Sequence, residues 1–141
     1  MIERYGAYIV FVGTAAEAAA IDALRAGLGR GTTSVAGKTS LLQLCALLSL
    51  CRVGLTLDTG TLHLGRTVGL PMVIIAPAWS PPIEWLPLGN RRYRILKNAE
   101  MAFSPTEYVI DEVSVEEVTA ALDELVAAYP AGATSDGGQS S

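Results

Sequence analysis

The stretch Leu55-Thr56-Leu57-Asp58-Thr59-Gly60-Thr61-Leu62-His63-Leu64 decides how the rest of the chain is read. An apolar run from Val53 to Leu57 stops abruptly at Asp58, a turn containing Gly60 follows, and Leu62, Leu64 and Val68 then recur with helical spacing. This is the pattern of a strand, a tight turn and a helix N-terminus. Such a junction gathers backbone N–H groups and the positive end of a helix dipole at the carboxyl edge of a sheet. Open α/β sheets bind their ligands at that edge.

The flanking sequence supplies a sheet for the junction to belong to. Residues 7–12 form a continuous apolar run closed by Gly13-Thr14, as expected of a strand covered on both faces. Ala15 to Leu28 predicts a helix with Ala18, Ile21, Leu24 and Leu28 on one stripe, ending near Gly29 and Gly31. Thr32 to Ala36 is a short strand. Lys38-Thr39-Ser40 leads into a helix over 41–51, with Thr39 or Ser40 as N-cap. Strand 52–57, helix 61–69 and a strand from Pro71 to Ala76 come next. The segment from Pro77 to Asn90, with Trp79 and Trp85 among its prolines, reads as a long structured loop, more often functional than idle. A strand over 91–96 follows it. Ser114-Val115-Glu116-Glu117 is a capping box opening a helix to about Ala128, with Val115, Val118, Ala121, Leu122 and Leu125 facing inward. Strands alternating with helices predict an α/β fold with a mostly parallel, Rossmann-like sheet. Residues 1–130 are expected to form one domain and 131–141 a disordered Gly/Ser-rich tail.

Composition narrows the function classes. The chain has 141 residues, half of them apolar and 17% charged, with a net charge of −4, which argues against a nucleic-acid partner. Cys45 and Cys51 lie six apart in a helical stretch and point to different faces, so reduced thiols in a cytoplasmic setting are expected. Residues 7–20 superficially resemble a signal peptide, but Gly13 and Glu17 interrupt them, and a buried strand suits them better. Leu41 to Leu50 is very apolar yet ends at Arg52, far short of the ~20 residues a membrane span needs, so a buried helix is expected.

Several residues could carry chemistry, and each has a plainer explanation. Gly37-Lys38-Thr39 lacks the glycine that a phosphate-binding P-loop requires five positions earlier, where Thr32 stands. At the junction, Gly60 would let backbone approach a phosphate, Thr59 adds a hydroxyl, residues 60–62 offer N–H groups, and His63 could donate to an oxyanion. The same residues also describe a helix merely capped by Asp58 or Thr59. With His63 the sole histidine and no cysteine cluster, a metal centre is not expected. Glu17, after the first strand, suits ribose hydroxyls, but also suits a helix dipole with no ligand, and spacing favours the dipole. Arg91, Arg92, Arg94 and Lys97 fit a solvated sheet edge better than an anionic acceptor or membrane surface. Trp79 and Trp85 could stack on a sugar or base, or simply pack.

Taken together, Ile9-Val10-Phe11-Val12-Gly13-Thr14, Val35-Ala36-Gly37-Lys38-Thr39-Ser40-Leu41, Asp58-Thr59-Gly60-Thr61-Leu62-His63-Leu64, Gly69-Leu70-Pro71-Met72-Val73 and Leu88-Gly89-Asn90 resemble the C-terminal half of family 9 glycosyltransferases, the heptosyltransferase-like enzymes of lipopolysaccharide biosynthesis. The resemblance implies the second, donor-binding domain of a GT-B enzyme. Thr59, Gly60, Thr61 and His63 would then hold the diphosphate of a nucleotide-sugar donor, with Asp58 near the sugar, Thr39 near the base and Glu17 at the ribose. His63 would stabilise the leaving group without a metal or other cofactor. Heptose from ADP-heptose is one implied donor, and a lipid-linked or other glycan is the implied acceptor. The implied location is cytoplasmic, at the inner face of the inner membrane with peripheral membrane contact.

Three departures qualify the resemblance. The acceptor domain, with the carboxylate that serves the family as general base, is not in these residues. The usual first strand, with its lysine-bearing phosphate loop, is missing between 7–12 and 52–57. Ala76-Pro77-Ala78 replaces a Phe-Gly-Pro type sequence. The expectation is a donor-binding half that is inactive without an N-terminal half supplied in cis or trans; a non-catalytic remnant or interaction module is the alternative. A receiver- or flavodoxin-type domain fits less well, since only Asp58 stands as an acid at a strand end. Strand 7–12 should either pair directly with 52–57 or leave a gap, and open edges should make the chain self-associate unless a partner covers them.

Overall fold

The computed structural model describes residues 1–77, 89–97 and 113–130. The chain divides into two compact units, Met1–Leu44 and Cys45–Ser141. In the first, helix α1 (Ile2–Tyr5), strand β1 (Ile9–Phe11), a 3-10 turn (Ala15–Glu17), helix α2 (Ala18–Ala26) and strand β2 (Thr32–Ser34) follow in order. β1 and β2 are parallel, with Ile9, Val10 and Phe11 opposite Thr32, Thr33 and Ser34. Bonds from the Ile9 N–H to the Gly31 carbonyl and from the Val35 N–H to the Phe11 carbonyl, both 2.9 Å, extend the ladder.

The inward stripe of α2 differs from the expected one. Ala18, Ile21 and Arg25 are half-buried, whereas Leu24 and Leu28 are 59% and 43% exposed. Each three-residue step falls about 60° short of a full turn, so Leu24 lies about 120° from Ala18 while Arg25, seven residues on, returns to its side. Arg25 therefore lays its stem along the sheet and donates from Nη2 to the Thr32 carbonyl at 3.2 Å, with Nη1 on Asp22 at 2.8 Å.

Gly37 has a steric purpose in the same unit. Its φ is 67°, its N–H donates to the Gly13 carbonyl at 3.0 Å, and a Cβ would lie 2.7 Å from the Ala15 Cα. The Gly37-Lys38 pair thus belongs to a turn pressed against the 3-10 segment and closed by the Lys38 N–H on the Val35 carbonyl at 2.9 Å.

Helix α3 (Leu41–Ser49) carries the chain from one unit into the other. Its N-terminus is a capping box: the Ser40 N–H donates to Gln43 Oε1 at 2.8 Å, and the Gln43 N–H to Ser40 Oγ at 3.3 Å. The helix is not buried as expected. Only Leu48 is fully covered, while Leu41, Leu42 and, just beyond the helix, Leu50 are exposed. A helix apolar on all sides can be covered only where it has neighbours, and here one side has them. Cys45 and Cys51 are free thiols, and burial pushes the Cys51 thiol up from its ordinary value.

The second unit is built on three parallel strands, β3 (Gly54–Leu57), β4 (Met72–Ile75) and β5 (Tyr93–Leu96), in the order β3-β4-β5. β4 is central, and Met72, Val73 and Ile74 are all but inaccessible, which explains their unbroken apolar sequence. Helix α5 (Val115–Ala128) covers one face, packing Ala121, Leu122 and Leu125 on Val73, with Val53, Leu96, Val118 and Tyr129 around them. Helix α4 (Gly60–Thr67) covers the other, with Leu62 buried and Gly65 so close that a Cβ would stand 2.6 Å from Met72 Sδ. Ser114 caps α5 by accepting from the Glu117 N–H at 3.1 Å, and Glu117 returns a carboxylate to the Ser114 N–H at 2.8 Å. Arg52 closes the far end, donating from Nε to the Tyr129 carbonyl at 2.6 Å and from Nη2 to that of Val126. Val115, expected inward, is 76% exposed. It lies about 10 Å along the axis from Leu122, beyond the reach of the described core.

Among the described residues the strands form two parallel ladders, β1-β2 in the first unit and β3-β4-β5 in the second. Of the two arrangements expected for 7–12 and 52–57, the unpaired one is found. The loop around Trp79 and Trp85 and the tail from 131 lie outside the described residues.

Replacing Gly37 by alanine tests the steric reading. The clash and the left-handed backbone together should cost about 2 kcal/mol, read as a lower denaturant midpoint with unchanged slope. An unchanged midpoint would mean the turn needs no glycine.

Candidate functional site

β3 delivers the chain to Asp58, and Thr59, with φ −138° and ψ 177°, stands as the extended N-cap of α4. This helix start differs from the others that carry a competent capping residue. Ser40 and Ser114 each close a box at α3 and α5, and Thr14 closes one with Glu17 at the 3-10 turn. Thr59 makes no side-chain cap bond, and no acid occupies the first turn of α4. Nothing lies within 4 Å of where a Gly60 Cβ would be. The first N–H groups of a helix lack partners one turn back; here the Leu62 N–H turns to the Thr59 carbonyl at 3.0 Å, and those of Gly60 and Thr61 stand at the positive end of the helix. An anion with oxygen acceptors fits such a terminus.

His63 lies one turn further along. Positions 60, 63 and 67 share one side of α4, opposite the buried Leu62 and Gly65. His63 is exposed, and it lines an open depression of about 480 Å³ with Arg66, Thr67, Asn90 and Tyr93. Thr67 Oγ1 donates to the His63 carbonyl at 3.0 Å, and Asn90 Oδ1 accepts from the Arg92 N–H at 2.9 Å, so the walls are held by local bonds. The imidazole, the Asp58 carboxylate and the Thr59 and Thr61 hydroxyls have no hydrogen-bond partner among the described residues. Polar groups left available around a helix N-terminus can bind and orient a diphosphate and oppose charge that develops on it.

Five of the expected site residues, Asp58, Thr59, Gly60, Thr61 and His63, fall in this one junction. Glu17 and Thr39 belong to the other unit. Glu17 Oε2 accepts from the Thr14 N–H at 2.7 Å and from Thr14 Oγ1 at 2.8 Å, and these bonds, the backbone one foremost, hold the carboxyl below its ordinary range. Thr39 is half-buried immediately before the Ser40 cap.

Arg66 and Thr67 were open to detection from their i+3 and i+4 spacing to His63. Asn90 and Tyr93 join them only through the parallel pairing of β5, which no local pattern announces. The basic run proves largely structural. Arg92 donates to the Gly69 carbonyl at 2.9 Å and lies 5.8 Å from the centre of the Tyr129 ring, and Arg94 pairs with Glu124 at 2.6 Å. Among the described residues no three His, Cys, Asp or Glu side chains gather as a metal site requires. No described helix is long and apolar enough to cross a membrane.

Comparison with known proteins bears on the family and the fold. Glycosyltransferase family 9 (heptosyltransferase) matches residues 1–107. Two solved structures resemble the chain: the glycosyl transferase family 9 protein of Veillonella parvula DSM 2008, with TM-score 0.71 and 20% identity, and the ADP-heptose lps heptosyltransferase II of E. coli, with TM-score 0.68 and 21% identity. Each alignment covers 84% of this chain and 36% of the other, so the chain spans about a third of the length of these structures. Among curated proteins none matches.

The capping carboxylates predict a pH dependence. Glu17 and Glu117 are both held low by bonds from Thr14 and Ser114, so their contribution is present above the ordinary carboxylate range and lost as pH falls through it to the lowered values. Melting temperature followed from neutral to acid pH should therefore fall less steeply in the double variant Glu17→Gln, Glu117→Gln. An identical acid limb would show that the two boxes do not couple to folding.

Proposed function

The chain belongs to glycosyltransferase family 9, and from that membership we propose that it forms the donor-binding part of a glycosyltransferase whose β3–α4 junction holds the diphosphate of a nucleotide-sugar. The observation that carries this reading is the uncapped start of α4. A helix whose N-cap threonine leaves its hydroxyl unused, beside a glycine facing open space, is suited to a ligand's oxygens.

On this reading the N–H groups of Gly60 and Thr61 and the Thr59 hydroxyl grip the diphosphate, and Asp58 faces the sugar. As the acceptor oxygen attacks the anomeric carbon, the bond from that carbon to the diphosphate breaks and its electron pair leaves with the phosphate. Negative charge then grows where the helix terminus points and where His63 can donate, which lowers the barrier without a metal. Thr39 borders the base and Glu17 the ribose. The ribose role asks Glu17 to share a carboxylate already bonded to Thr14. The acceptor proton goes to a base outside the junction, in the acceptor-binding part of the whole enzyme. A heptose from an ADP donor, passed to a lipopolysaccharide or other glycan, is the substrate pair favoured by the likeness to the ADP-heptose lps heptosyltransferase II of E. coli.

Calorimetric titration with ADP, UDP and GDP tests the reading. One nucleotide should bind saturably, and both Gly60→Ala and His63→Ala should weaken it about tenfold, roughly 1.4 kcal/mol each. Gly60→Ala should leave the melting temperature unchanged, since its new methyl meets only open space. Binding that survives both substitutions would remove the diphosphate from this helix, and no binding at all would favour a non-catalytic remnant.

A further inference from the structure

We propose that Arg92 is a positioning residue for the nucleotide site, acting from the far end of α4: it holds the exit of that helix and so fixes the first turn, where the diphosphate is held. The inference rests on the reading of the β3–α4 junction as the diphosphate site. α4 has eight residues, and of these Leu62 and Gly65 are buried. Leu62 keys the first turn into the core, whereas Gly65 brings only backbone against Met72, so the second turn lacks a buried side chain of its own. In a helix this short the two ends are not independent. Each N–H of the last turn bonds four residues back, to the carbonyls of residues 60–63, and Thr67 Oγ1 adds a bond to the His63 carbonyl at 3.0 Å. A second turn that frays therefore releases the residues that form the site.

The chain leaves α4 through a glycine. Gly69 has φ 69°, and with no side chain its backbone is free to turn unless something holds it. Its N–H donates to the Arg66 carbonyl at 3.1 Å and the Leu70 N–H to the Gly65 carbonyl at 2.9 Å, closing the helix end. The Gly69 carbonyl takes its bond from Arg92 Nη1 at 2.9 Å, and the same nitrogen stands 3.3 Å from where a Gly69 Cβ would be. The guanidinium thus bonds the hinge and fills the space that its missing side chain leaves. Its positive charge also faces the negative end of the helix.

Arg92 can serve as an anchor because it is itself fixed. Its N–H donates to Asn90 Oδ1 at 2.9 Å, its carbonyl accepts from the Met72 N–H at 2.9 Å, and its guanidinium lies 5.8 Å from the centre of the Tyr129 ring. Tyr129 is in turn held through its carbonyl by Arg52. The exit of α4 is thereby tied to β4, β5 and the end of α5 rather than left to solvent. Two residues along β5, Arg94 pairs with Glu124 on α5 instead, so it supplies a control of the same charge on the same strand.

His63 is the sole histidine of the 141 residues, so its imidazole gives one unambiguous magnetic resonance signal. In the full chain, Arg92→Met should shift or broaden that signal and speed hydrogen exchange of the Leu64 to Thr67 amides about fivefold, the worth of one hydrogen bond. Far-ultraviolet circular dichroism and the exchange of the α5 amides should not change. Arg92→Lys, which keeps a cationic donor, should restore both readouts, and Arg94→Met should leave both unaltered. Whichever of ADP, UDP and GDP binds the unaltered chain should bind Arg92→Met about fivefold more weakly. An undisturbed imidazole signal in Arg92→Met, or the same disturbance in Arg94→Met, overturns the proposal. Nucleotide affinity untouched by Arg92→Met overturns this role alone, whereas no binding by the unaltered chain removes the diphosphate reading and this role with it.

Discussion

Met72, Val73 and Ile74 lose their water because β4 is hydrogen-bonded on both edges and covered on both faces, and the second unit is arranged to achieve this. β3 and β5 satisfy the backbone, α4 and α5 the side chains, and neither task could be omitted without leaving buried polar groups or exposed apolar ones. The need for close approach explains Gly54 and Gly65, whose missing side chains make room for Leu70 and Met72. It also sets where α4 begins, because a helix packed over β4 must leave the sheet at the carboxyl end of β3, and that departure is the junction at Asp58.

Helix termini are treated unequally in this chain. α3 and α5 spend a serine and a longer polar side chain on closing their first turns, and the 3-10 turn before α2 does the same with Thr14 and Glu17. At α4 the corresponding threonine is present and unused. Leaving N–H groups open costs little where they are solvated, and it preserves a site at which an anion can replace water. His63, one turn along the same side, adds an exposed imidazole that capping alone would not require. Neighbouring cations are committed elsewhere, Arg92 to the Gly69 carbonyl and Arg94 to Glu124.

The same strand that leads into the site also carries the exposed edge. β3 gives its Gly54 and Thr56 backbone to β4 and turns that of Leu55 outward. Among the described residues its other edge is unpaired, and Leu55 and Leu57 beside it are half-exposed.

Much of the fold was legible before any tertiary contact was considered, because it follows from interactions within a few residues. The buried run at β4, the Ser114–Glu117 box, the order of strands and helices, and the strand–turn–helix at Asp58 to His63 all depend on local periodicity and capping. The first departures arose where a local pattern needed a distant partner. Leu24 and Val115 match apolar stripes but find no core to enter, and α3 is largely apolar but has neighbours on one side. Likewise, Asn90 and Tyr93 reach His63 only because β5 lies parallel to β4, and the strands resolve into two ladders through pairing choices made across the chain. Sequence by itself determined which elements form and where an anion site could open. Tertiary structure decided which faces are covered, which charges are already paired and which edge stays open, because those outcomes depend on contacts between residues that share no local repeat.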